Sequence, residues 1–171
     1  FLGGAPFVGS EVFGLSPAVL GIHFGSVALG YALGNFLSGR YSVRVGMTQM
    51  VLIGSIVLVV GVVALIALTL AGLSGPLAFF GFMSLIGVGN GMALPNANAG
   101  MMSVRPELAG TASGLGGAMM IGGGAALSAL AGALLHPGGT EMPLLLLMLA
   151  SAVASLLSIL SVLRRNRQLG L

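Results

Sequence analysis

The side chains able to exchange a proton or hold a cation are few: Glu11, Glu107, Glu141, His23 and His136. Cysteine, aspartate and lysine do not occur. A nucleophilic triad needs a base and an orienting acid beside the nucleophile, and a tetrahedral zinc site needs clustered Cys, His or Asp. Two histidines more than a hundred residues apart offer neither, so we expect no enzyme, no metal and no cofactor. The basic pI of about 10.7 rests on six arginines against three glutamates, with no aromatic-interleaved basic surface to hold a phosphate backbone, and nucleic acid is not an expected partner.

The residues left to do chemistry are amides. Val88-Gly89-Asn90-Gly91-Met92-Ala93-Leu94-Pro95-Asn96-Ala97-Asn98 carries two glycines, a proline and three asparagines, all poor helix formers, inside apolar sequence. Pro95 removes one backbone donor and frees a carbonyl near Gly91, which predicts a kink or local unwinding there. On a helical wheel Gly87, Gly91 and Asn98 share a stripe, Asn90 lies about 60° aside and Asn96 elsewhere.

The elements that position these groups must be membrane spans, because 57% of the chain is apolar and 5% charged. Five full spans are predicted: roughly Pro17 to Leu37, Met47 to Leu70, Pro76 to Met101, Gly110 to Leu135 and Pro143 to Leu163. An opening stretch of half the needed length, Phe1 to Val8, reads as the end of a sixth. Arg40 and Arg44, Arg105, and Arg164, Arg165 and Arg167 follow alternate spans and so fall on one side. The positive-inside rule makes that side cytoplasmic, the C-terminus included, and places Glu11 and the His136 to Glu141 loop outside.

The spans fall into two classes. Those from Met47 and Pro143 are nearly uniform in apolar residues and can face lipid all round. The other three carry His23 and Asn35, the asparagine stretch, or dense glycine, and their polar groups should face protein or water. Small residues recur every four positions at Gly21 and Gly25, at Gly30, Gly34 and Ser38, and at Gly110, Gly114, Ala118, Gly122 and Ala126, a spacing that lets helices approach closely.

Ser10 to Pro17, the Gly39-Arg40-Tyr41-Ser42-Val43-Arg44-Val45-Gly46 loop, Gly87 to Gly91 leading to Leu94 to Ala97, and Pro106 to Leu115 together resemble the second half of a major facilitator superfamily drug:proton antiporter of the Bcr/CflA type. The Gly39, Arg40, Arg44, Gly46 segment is similar to the C-terminal copy of the superfamily's cytoplasmic loop motif, without its acidic residue. The resemblance implies an all-α integral membrane fold, the C-terminal six-helix half of a twelve-helix transporter. Residues 1–10 would be the outer end of helix seven, truncated, and residues 11–171 helices eight to twelve with their loops and tail.

By that resemblance the chain sits in the cell inner membrane, pairs with an N-terminal six-helix half, and exports drug-like molecules in exchange for protons by alternating access. The carboxylate coupling to protons would belong to the other half. Gly87, Gly91, Pro95, Asn96 and Asn98 then form a hinge and cytoplasmic gate. Asn90, about 12 Å deeper than Asn98 at ~1.5 Å per residue, meets substrate near the midplane or bonds a neighbouring helix. Phe24, Met119 and Met120 complete the cavity wall. His23 and Glu11 are candidate titratable groups, Glu107 a helix-start residue and Glu141 a loop acid. The glycine ladder of Gly110, Gly114, Ala118 and Gly122 serves helix packing. A metabolite exporter of the same fold, or a non-transporting structural membrane subunit, are the competing readings.

Overall fold

The structure, a computed structural model, describes residues 1–169; the last two residues of the 11–171 domain reading lie outside them. A short opening helix, α1 (Ala5–Phe7), runs into a π-helical turn (Val8–Val12) that ends at Gly14, where φ is +63°. Five long helices follow: α2 (Pro17–Val45), α3 (Met47–Leu70), α4 (Pro76–Ser103), α5 (Ala109–Leu134) and α6 (Met142–Leu169). Each is long and apolar enough to cross a membrane.

Local signals set the ends. Ser16 is extended and its hydroxyl accepts from the Val19 N–H, with Pro17 at the first helical position. At the end of α3, Gly72 takes φ +71°, Leu73 N–H bonds the Leu68 carbonyl at 3.0 Å, and Gly72 N–H bonds that of Thr69 at 3.1 Å. That is a Schellman closure, which folds the connection back over the helix it ends. A 3-10 turn over Pro106–Leu108 leads into α5 and holds Glu107, whose carboxylate lies 3.7 Å from Arg105 in solvent.

Two boundaries differ from the sequence reading. Helix α2 does not stop near Leu37 but continues through Gly39, Arg40 and Arg44 to Val45, so the supposed loop is two exposed helical turns. The break comes at Gly46 alone, whose φ of +95° suits glycine and lets α3 begin at once. Likewise Arg164, Arg165 and Arg167 stand on the last turns of α6 and not in a tail. Neither change moves an arginine to the other end of the bundle.

The core joins the C-terminal part of α3 and the N-terminal parts of α4 and α6 to the opening segment. Phe79, Phe80 and Met83 of α4 are fully buried with Val8, Val62, Leu65, Leu144 and Leu145. Helix α4 lies between α2 and α3, and α3 also packs on α6. The expectation that the Met47 span faces lipid all round is therefore corrected: Met50, Gly54, Leu58, Gly61 and Leu65 form a buried seam. Uniform apolarity hid this seam, since lipid tails are as apolar as a helix interface, and small residues carry the signal instead.

Candidate functional site

Helix α4 is where the candidate residues concentrate, and close backbone contact fixes its place. A Cβ added to Gly30 of α2 would strike the Ser84 carbonyl of α4, and one on Gly34 would strike that of Val88. From the other side Gly87 meets Val27 and Tyr31, and Gly91 meets the Tyr31 carbonyl and Gly34. Gly89 opposes Gly54 of α3 in the same way. These glycines are needed because their neighbours are backbone, which cannot yield as a side chain would. Two polar pairs bind α4 to α2, Ser84 Oγ to Ser26 Oγ at 3.2 Å and Asn96 to Ser38, and Ser55 Oγ with Ser155 Oγ at 3.1 Å joins α3 to α6.

The expected unwinding near Gly91 does not occur. Helix α4 is continuous from Pro76 to Ser103 with Pro95 inside it, because the flanking α2 and α3 grip both sides of the turn before the proline. The asparagines divide by environment. Asn96 is buried, and its Nδ2 donates to Ser38 Oγ at 2.7 Å and to the Met92 carbonyl at 2.8 Å. Asn90 and Asn98 are exposed and have no side-chain hydrogen bond among the described residues.

Successive helix residues advance about 100°, so Phe79, Phe80, Met83, Gly87, Asn90, Leu94, Ala97 and Asn98 fall within one arc of roughly 100°. The first four are buried and the last four exposed. Phe13 packs edge-on to Phe79 with centroids 5.5 Å apart, and His23 stacks on Phe80 at 4.7 Å. Phe24 lies 5.5 Å from Phe1 and 6.0 Å from Phe80. One side of α4 is thus covered at the glutamate-bearing end and open toward the arginines.

Helix α5 stands apart. Nearly every residue on it is exposed, Met119 and Met120 included, and a Cβ on Gly110, Gly114 or Gly122 would meet no atom within 4 Å. Gly21 and Gly25 of α2 are equally open, as is Ala118 by its exposure. Glu11 is exposed on the π-helical turn. The structure brings His23 and Phe24 together on the aromatic cluster, while Asn90, Met119 and Met120 remain open surface on two helices.

With this geometry in place, the chain matches the family description Major Facilitator Superfamily over residues 4–170. The chain belongs to the major facilitator superfamily. A relative from Bacillus subtilis strain 168, named as an uncharacterized MFS-type transporter YdgK, is 30% identical over 137 residues. That match covers 77% of this chain and 33% of the relative, so the chain spans about a third of that protein's length. No solved structure matches the chain.

The all-helical architecture is thus part of a major facilitator membrane fold, a multi-pass assembly of five long spans and a short opening helix. In this major facilitator chain one polar group escaped the sequence reading. Glu141, taken as a loop acid, is 4% exposed and accepts from Thr69 Oγ1 at 3.3 Å and from Ser74 Oγ. Its partners lie 72 and 67 residues away, beyond the reach of local pattern. The available clue was its place directly before an apolar run, where a carboxylate favours a helix N-terminus.

Proposed function

We propose that this chain is the C-terminal six-helix part of a secondary active transporter that exports apolar, drug-like solutes in exchange for protons by alternating access. Residues 1–10 form the outer end of its seventh helix, and an N-terminal six-helix half is its partner. The observation that carries the reading is the divided face of α4, buried through Phe79, Phe80, Met83 and Gly87 and open at Asn90, Leu94, Ala97 and Asn98. Amides within a span need protein or water against them, because lipid cannot satisfy them. An open, amide-bearing half-face on a helix clamped at its other end fits a wall of a central solute path.

In this reading Asn90 contacts solute, and Phe24, Met119 and Met120 supply adaptable apolar wall. Gly87, Gly91, Pro95, Asn96 and Asn98 form the gate at the arginine-bearing end. The open ladder of Gly110, Gly114, Ala118 and Gly122 is the surface met by the partner half. In this reading that end and the C-terminus lie in the cytoplasm and the membrane is the inner one, a topology the positive-inside rule supports through the arginines. Gly39, Arg40 and Arg44 line the last turns of α2 there, and Gly46 makes the turn into α3. His23 and Glu11 are accessory groups, with the proton-coupling carboxylate in the partner half.

The test is transport by the complete chain in proteoliposomes under an imposed pH gradient, with chloramphenicol-like and bicyclic antibiotics beside sugars and nucleosides. Gradient-dependent drug movement, weakened by Asn90→Ala, is the expected result. Movement of sugars or nucleosides alone would make it a metabolite exporter. No movement by folded protein would leave a structural membrane subunit.

A further inference from the structure

Glu141 lies at the end of the bundle away from the arginines, outside the site on α4. It precedes the first residue of α6, and its carbonyl accepts the Leu145 N–H at 3.1 Å. The Schellman closure of α3 brings Ser74 back beside Thr69, and both hydroxyls donate to one oxygen, Oε1. No arginine or histidine pairs with this carboxylate among the described residues. The second oxygen, Oε2, has no hydrogen-bond donor among the described residues. No fully buried side-chain oxygen lacks a partner, so Oε2 keeps an open surface.

Glu141 lines a cleft of about 580 Å³ together with Phe13, Leu70, Thr140 and its two hydroxyl partners. Burying a carboxylate without a counter-charge is costly, and two hydroxyls with a helix N-terminus offset only part of that cost. A cation brought against this carboxylate, which is 4% exposed, would offset the remainder. A bare alkali ion would want more oxygens than this mostly apolar lining gives. An ammonium group on a short apolar body satisfies every surface: N–H donors for Oε2 and Thr140, an aromatic face at Phe13, and apolar wall at Leu70.

We propose that the cleft at Glu141 binds a primary ammonium group, carried by a soluble amine or by an aminolipid headgroup. Its existence does not depend on what is transported.

The experiment uses the complete chain carrying Thr140→Cys, in a background otherwise free of cysteine, in phosphatidylcholine nanodiscs. Labelling of the introduced thiol by an anionic methanethiosulfonate is timed with and without butylammonium. Saturating butylammonium should slow labelling about fivefold or more, while 1-butanol should not. Glu141→Gln keeps an oxygen for Thr69 and Ser74 but loses the charge, and should abolish the slowing. Phosphatidylethanolamine in place of phosphatidylcholine, slowing labelling in the same Glu141-dependent way, would assign the ammonium to lipid. Equal slowing by 1-butanol or by sodium chloride overturns the proposal. So does a Thr140→Cys, Glu141→Gln protein that is still protected, or a Thr140→Cys protein with Glu141 intact that is protected by neither source.

Discussion

Asn96 Nδ2 donates to Ser38 Oγ across 2.7 Å while also donating to the Met92 carbonyl one turn earlier, so a single buried amide ties α4 to α2. The bond sits at the end of the Gly30, Gly34, Ser38 row, where the two backbones run closest. Interhelical hydrogen bonds within membranes are worth on the order of 1 kcal/mol.

Asn96→Ala should therefore lower the unfolding free energy of the complete chain in detergent by about 1 kcal/mol. Ser38→Ala should cost less, because the amide retains Met92, and the double variant should cost little more than Asn96→Ala alone. Thermal or denaturant unfolding of the three proteins checks this; additive losses would show that the two residues are not coupled.

Gly34→Leu should be far more damaging than Gly21→Leu. At Gly34 a new side chain meets the Val88 carbonyl and Gly91, whereas at Gly21 it meets nothing within 4 Å. Overpacking of a tight interface costs roughly 1–3 kcal/mol or more. Yield of folded protein and its unfolding midpoint are the readouts, with Gly21→Leu close to wild type.

Cysteine accessibility separates the asparagines. Asn90→Cys and Asn98→Cys lie on open surface and should label readily from water in at least one state of the transporter. Asn96→Cys should label more slowly by an order of magnitude. If positions 90, 96 and 98 stay silent in every state, none of them belongs to a gate.

Gly46→Ala should destabilise the joint between α2 and α3, because φ of +95° is a conformation that residues with a Cβ adopt at a cost of about 1–3 kcal/mol. Gly39→Ala, on the exposed helical surface seven residues earlier, should be neutral or slightly stabilising, since alanine is the better helix former.

The number of full spans and their starts at Pro17, Met47 and Pro76 were legible in the sequence, since length, apolarity and proline placement are local signals. The row of Gly30, Gly34 and Ser38 was legible as a packing face, but its partners on α4 were not, because small-residue spacing does not name the opposing helix. The seam on α3 was hidden by uniform apolarity. The persistence of helix through Pro95 was hidden too, as neighbours grip the turn that local chemistry would loosen. Glu141 was missed because both of its hydroxyl partners arrive from the far end of another helix. Asn96 illustrates the limit well: its residue type marked it as a group needing a partner, and only the packing of α2 supplied Ser38.

The one-residue link at Gly46 has a mechanical meaning. Helix α2 extends 29 residues from that point, about 43 Å at ~1.5 Å per residue. On an arm of that length a backbone rotation of about 5° carries the far tip through nearly 4 Å, about the width of a methyl group. A rotation at that glycine would have its largest travel at the opposite end, beside His23 and Phe24. It would carry α4 with it, since Gly30, Gly34 and Ser38 hold the two helices in contact.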